Sequence, residues 1–214
     1  MIDTDKLIDL MANDAQVPAV VPRRPRFLLR VAGALALSTI ALVLTIGFRS
    51  GFSSAMTSWP VMLKFVLAAL FILPSATLLQ RSWYPEDTTA NRLGRLLLPV
   101  GVAVGLWTVT LAGTPGSQWL AAITGGTLSA CITTIPLLAL PMLLAILSVL
   151  RGGAVTDRGA TGIISGACAG GLSMALYTTH CPEDNPAFFA LWYSTGVGIV
   201  ALVGYWLAPR LLRW

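Results

Sequence analysis

Charged residues fall at intervals along this chain and leave long apolar stretches between them. Residues 31–48, 50–63, 65–80, 96–150, 159–182 and 185–209 contain no Asp, Glu, Lys or Arg. A helix rises 1.5 Å per residue, so about 20 apolar residues cross a hydrocarbon core of ~30 Å. The run 96–150 is too long for one crossing and is interrupted by Gly-Thr-Pro-Gly-Ser at 113–117, a turn-forming cluster, so it holds two. The pattern predicts six transmembrane helices near 30–48, 61–79, 95–112, 129–150, 159–178 and 187–208. The expected fold is an all-α integral membrane bundle over 30–214, preceded by a tail over 1–29.

Composition agrees with that class. The chain is 56% hydrophobic and 11% charged, whereas soluble proteins carry about 25% charged residues. The first apolar stretch and its charged preamble are both longer than a signal peptide, and no small-x-small site ends them, so it is read as a span. Of the 14 basic residues, all but Arg49 and Lys64 fall on one side of the membrane when the N-terminus is inside. By the positive-inside rule both termini are then cytoplasmic, and loops 49–60, 113–128 and 179–186 face out. Trp59, Trp119, Trp192 and Trp206 fall near the expected interfaces, as amphipathic rings do. The net charge of +5 is accounted for by this topology and needs no nucleic-acid partner.

Within the spans, Gly162, Gly166 and Gly170 recur every four residues and form a groove for a neighbouring backbone. They are read as packing. Cys168 points elsewhere and reads as a small apolar filler. Pro74, Pro99, Pro136 and Pro141 are candidate kink sites.

The densest chemistry lies in His-Cys-Pro-Glu-Asp at 180–184, in the last outer loop. Counting back from Arg151 puts Cys131 about one turn below the outer surface, the same depth and side as Cys181. Two chemistries are open to such a pair. A disulfide needs Cα atoms within about 7 Å; alternatively, thiolates bind soft cations, with His180 as a third ligand and Glu183 or Asp184 nearby. In a Gram-negative host the compartment is the oxidising periplasm. The spacing matches no zinc-finger or zinc-hydrolase pattern. Asp184 or Asn185 suits the N-cap of the last helix, with Pro186 at its first position.

On the cytoplasmic side, Leu7, Ile8, Leu10 and Met11 share one face of a short helix, with Asp5 and Asp9 opposite. The proline-punctuated Val-Pro-Ala-Val-Val-Pro-Arg-Arg-Pro-Arg at 17–26 reads as an extended linker. A lone helix of this length is marginal in water and gains stability by docking. The aspartates disfavour an anionic lipid surface and favour a basic partner, so Asp5, Leu7, Ile8, Leu10 and Met11 are the candidate contacts.

The competing classes are weaker. A transporter would carry ionisable groups deep in its spans; only Lys64, placed at an interface, comes close, and a small-molecule or metal transporter is the alternative function. An enzyme needs a nucleophile–base or metal constellation, which a single histidine and the absence of any paired motif do not provide. No resident cofactor is expected beyond transient soft-metal binding at Cys131 and Cys181.

Ala-Leu-Tyr-Thr-Thr-His-Cys-Pro-Glu-Asp-Asn-Pro-Ala-Phe-Phe-Ala-Leu-Trp-Tyr-Ser-Thr-Gly at 175–196, the terminal Pro-Arg-Leu-Leu-Arg-Trp, Cys-Ile-Thr-Thr-Ile-Pro-Leu-Leu-Ala-Leu-Pro at 131–141 and Asp-Thr-Asp-Lys-Leu-Ile-Asp-Leu-Met-Ala-Asn-Asp-Ala-Gln-Val-Pro at 3–18 together resemble the negative-regulator-of-sigma-F family. The resemblance implies a six-span anti-sigma factor of the bacterial inner membrane, without enzymatic activity. It implies capture of an extracytoplasmic-function sigma factor by the N-terminal tail. The family's two cysteine positions match Cys131 and Cys181. A tail this short cannot bury its own core and must order on binding. The expectation that follows is a thiol pair, facing a heavy metal or oxidant outside, that weakens sigma capture inside.

Overall fold

A computed structural model describes residues 3–14, 23–82, 93–153 and 155–212. All regular structure among them is helical: α1 (Thr4–Asp14), α2 (Arg23–Thr45), α3 (Phe52–Ala55), α4 (Trp59–Arg81), α5 (Leu97–Ala112), α6 (Trp119–Thr124), α7 (Leu128–Leu150), α8 (Arg158–Thr178) and α9 (Pro186–Leu211), with single 3-10 turns before α5 and α6. Six of these segments are long and apolar enough to cross a membrane. Their boundaries lie within a few residues of the expected spans, except that α2 begins seven residues early. Arg23–Arg26, read as the end of an extended linker, form the first turn of α2. Pro25 is tolerated there because first-turn N–H groups have no helical partner. The remainder of that linker, 17–22, lies outside the described residues.

Helix α8 is the centre of the bundle. It packs on α9, α4 and α7. Gly162 lies against the backbone of Gly204, Gly166 against Val200 and Ala201, and Gly170 against Val197, all on α9. Gly171 faces the other way, where an added Cβ would lie 3.1 Å from Phe71 of α4. The glycine stripe is therefore a packing groove, with a neighbouring backbone lodged in it. Cys168 is buried in the adjoining apolar cluster with Met142, Ile164 and Val200.

Pro136 and Pro141 lie inside α7. Neighbouring hydroxyls reach carbonyls of the same stretch: Ser173 donates to Ile135 O at 2.6 Å and Ser38 to Leu138 O at 2.8 Å. These bonds tie α7 to α8 and α2. Pro74 is interior to α4, whereas Pro99 falls in the first turn of α5, where no kink is needed.

The periphery differs. Helix α2 packs mainly on α7, and α5 mainly on α9. Large apolar side chains such as Leu29, Leu44, Leu97 and Val109 are exposed. A continuous apolar outer surface of this kind suits lipid better than water.

Candidate thiol and ion-pair site

The two expected cysteines meet. Cys131 is the fourth residue of α7 and its N–H donates to Thr127 O at 3.0 Å. Cys181 closes the last turn of α8, its N–H donating to Tyr177 O at 3.1 Å. Both side chains are 0% exposed, and their sulfurs stand 4.0 Å apart as free thiols. A disulfide bond would bring them to about 2.05 Å.

The pair is enclosed by groups that sequence reasoning did not single out. Cys131 Sγ lies 3.5 Å from Tyr177 Oη, within hydrogen-bond reach for sulfur. Thr127 Oγ1 sits 3.9 Å from Cys131 Sγ and 3.7 Å from Cys181 Sγ. Tyr177 stacks edge-on against Tyr193 at 5.7 Å between centroids, and Tyr193 tilts against Phe189. Tyr177 precedes Cys181 by one helical turn, the one sequence signal that could have found it. Tyr193 and Thr127 carry no such signal.

Lys64, expected at an interface, pairs with a residue of the outer loop. It is 0% exposed in α4, its Nζ over Phe189 and Tyr193 at 5.5 and 5.9 Å from the ring centroids. Its counter-charge is Asp184, with Nζ to Oδ1 at 2.8 Å. Arg49 grips the same carboxylate through both fork nitrogens, Nη1 to Oδ1 at 3.1 Å and Nη2 to Oδ2 at 3.2 Å. Burial raises the pKa of Asp184, but the hydrogen bonds and charges of Arg49 and Lys64 outweigh it and leave that carboxyl below its ordinary value.

The same field reaches the thiols. The Cys181 thiol is drawn below its ordinary value, first by the hydrogen bond from Cys131, against the opposing effect of burial, with the Lys64 charge assisting. A thiolate is the form that attacks oxidants and binds soft metals.

The remaining loop residues each face another partner. His180 Nδ1 contacts Gly47 O at 2.9 Å. Glu183 Oε1 accepts from Gly126 N at 2.8 Å. Gly125 beside it has φ +52°, and a Cβ there would strike Phe188, so glycine is required at that turn. Asn185, not Asp184, caps α9 by accepting from Ala187 N at 2.9 Å, with Pro186 at the first position. Among the described residues, no three His, Cys, Asp or Glu side chains are grouped to hold a metal. The structure thus brings Cys131 and Cys181 together and turns His180, Glu183 and Asp184 toward neighbouring elements.

Far along the chain, α1 carries the second expected site. Leu7, Ile8, Leu10 and Met11 are between 47% and 68% exposed, and Asp5 is exposed as well. An apolar face left open to this extent on an 11-residue helix is short of a partner.

Comparison with known proteins gives the family. A family profile described as "Negative regulator of sigma F" matches residues 10–214. The anti-sigma-F factor NrsF of Caulobacter vibrioides is 33% identical over 99% of both chains. The probable anti-sigma-F factor NrsF of Azospira oryzae is 26% identical over the same shares. No solved structure matches.

Proposed function

Because the chain belongs to the negative regulator of sigma F family, a family of anti-sigma factors rather than enzymes, we propose that it holds an extracytoplasmic-function sigma factor at the bacterial inner membrane and lets it go when the Cys131–Cys181 pair reacts. The observation that carries this reading is the pair itself: two buried thiols 4.0 Å apart, one of them biased toward thiolate. Soft ions such as cadmium or mercury bind thiolates, and chromate oxidises them. With the N-terminus inside, the pair lies at the periplasmic end of the bundle and α1 on the cytoplasmic side. The docking surface for the sigma factor is the open face of Leu7, Ile8, Leu10 and Met11, with Asp5 meeting basic groups of the partner. Ordering a tail on binding costs free energy and keeps capture releasable. Release then requires coupling across the bundle of only about 1–3 kcal/mol, or roughly 5- to 150-fold in affinity.

A sigma-dependent reporter tests both ends at once. The double variant Leu7→Asp/Leu10→Asp is expected to sit in the membrane fraction yet leave the reporter fully on, a loss of about 30-fold or more in capture if both are anchors. Cys131→Ser and Cys181→Ser are expected to share one phenotype, with the double no worse than either. Full capture by the tail variant sinks the docking surface; wild-type metal and oxidant responses in both cysteine variants sink the thiol sensor.

A further inference from the structure

Any signal from the thiol pair must reach the helix that carries the tail, and the two lie on different elements. Cys181 belongs to the segment joining α8 to α9. The tail leads into α2, which packs mainly on α7 and only slightly on α8. We propose that Arg49 is the positioning residue that ties the far end of α2 to the Cys181 segment, so that movement of Cys181 is delivered to α2 and along it to the tail. The inference rests on the anti-sigma reading above.

The contacts converge on a few residues. The chain leaves α2 through a tight turn bracketed by Gly47 and Gly51, with φ of +71° and +70°. That turn is fastened to the 179–184 segment at four points. Arg49 N donates to Thr179 O at 3.2 Å. Gly47 O contacts His180 Nδ1. Arg49 Nη1 lies 3.4 Å from Cys181 O, and the guanidinium fork holds Asp184. Every one of these partners is within three residues of Cys181. Lys64, paired with the same carboxylate and 3.5 Å from Cys181 O, fixes the segment to the core from the other side. Arg49 Nε is buried without a partner, so the guanidinium is held by its two end nitrogens alone.

The geometry makes the fastening responsive. To form a disulfide, each thiol gives up its proton, two electrons pass to the oxidant, and the sulfurs close from 4.0 Å to about 2.05 Å. Any part of that closure taken up by the Cys181 backbone passes directly to the groups fastened to it. A bidentate Arg–carboxylate pair is strong and strictly directional. A shift of its carboxylate therefore either drags the 47–51 turn or breaks the fork. Interfaces of this type are two-state rather than elastic.

Arg49→Gln separates this role from mere stability, because it leaves the buried Lys64–Asp184 pair intact. In the full chain with its sigma partner and reporter, Arg49→Gln is expected to raise unstimulated output at least 5-fold, and Arg49→Lys, which keeps charge without the fork, to fall between it and wild type. Alkylation of Cys131 and Cys181 by a small membrane-permeant maleimide, measured on the same membranes, is expected to remain at the wild-type rate within about 2-fold, showing an undamaged thiol site. The second variant, Arg49→Gln/His180→Phe, removes two fastenings and is expected to be as derepressed or more so. Unchanged basal output and unchanged stimulus response in both variants overturns the proposal, as does derepression accompanied by exposed, rapidly alkylated thiols. If the cysteine variants themselves behave as wild type, the sensor reading fails instead, whatever Arg49 does.

Discussion

Helices α8 and α2 are both apolar spans of just over twenty residues, yet they hold opposite positions in the molecule. In the most apolar stretch of α8, 72% of residues are buried, against 11% in α2. The difference originates in side-chain size. Small residues on three sides of α8 let α9, α4 and α7 approach its backbone, whereas α2 presents Leu28, Leu29, Leu37 and Leu44 outward. Where lipid is as apolar as leucine, helices gain from close packing rather than from hiding leucines. In the proposed mechanism α8 thus serves as the frame and α2 as the passenger. The thiols lie beside the frame, Cys131 on α7 and Cys181 just past the end of α8, and the tail is on the passenger, with Arg49 between them.

The strongest test of that contrast puts a methyl group in the frame. Gly166→Ala sets a Cβ against the Val200 carbonyl and 2.8 Å from Ala201 N, both backbone atoms of α9 that cannot step aside. The helices must separate, and overpacking of this kind costs about 1–3 kcal/mol or more. Unfolding of the purified protein in mixed micelles is expected to move earlier by that amount. A variant as stable as wild type would mean that α8 and α9 are not in the contact described.

What the sequence made legible follows the same division. Positions along an axis were readable, because charges and glycines mark where helices stop; this is why six spans and the shared depth of Cys131 and Cys181 could be placed. Positions around an axis were not. The axial place of Lys64 was readable, but its azimuth, which turns it inward onto Asp184, was not, because one sequence gives no azimuth for a helix that is apolar all round. Tyr177 and Tyr193 were missed for the same reason. Helices α3 and α6 span four and six residues, too few to show a period of 3.6. Arg49 read as a flanking charge because its partner is 135 residues away.

A test of intermediate size addresses the tie between frame and passenger. Asp184 faces Arg49 and Lys64, and its folded-state pKa is depressed. A depressed carboxylate contributes stability that is complete above its unfolded value of about 3.9 and is lost as pH falls through the lower folded value. Wild type is therefore expected to lose stability on acidification below about pH 4, whereas Asp184→Asn starts lower at neutral pH, its Lys64 left without a counter-charge, and changes less over the acid range. Parallel acid profiles for the two proteins would show that Asp184 is not held by the two cations in solution.

The smallest expected effect is the control that gives the first test its meaning. Gly33 lies in α2 in the same kind of helical backbone as Gly166, but a Cβ there meets nothing within 4 Å. The same chemical change, Gly33→Ala, removes a flexible residue from a helix interior without touching a neighbour. Helix propensity alone then favours alanine by up to about 1 kcal/mol, so stability is expected to hold or rise slightly. Sigma capture is expected to stay at wild-type level, because the open face of α1 and the Arg49 fastening are both untouched. Destabilisation by Gly33→Ala comparable to that of Gly166→Ala would mean that α2 has a tight neighbour of its own. It would then belong to the frame, and a helix clamped along its length could not carry a movement of Cys181 to the tail.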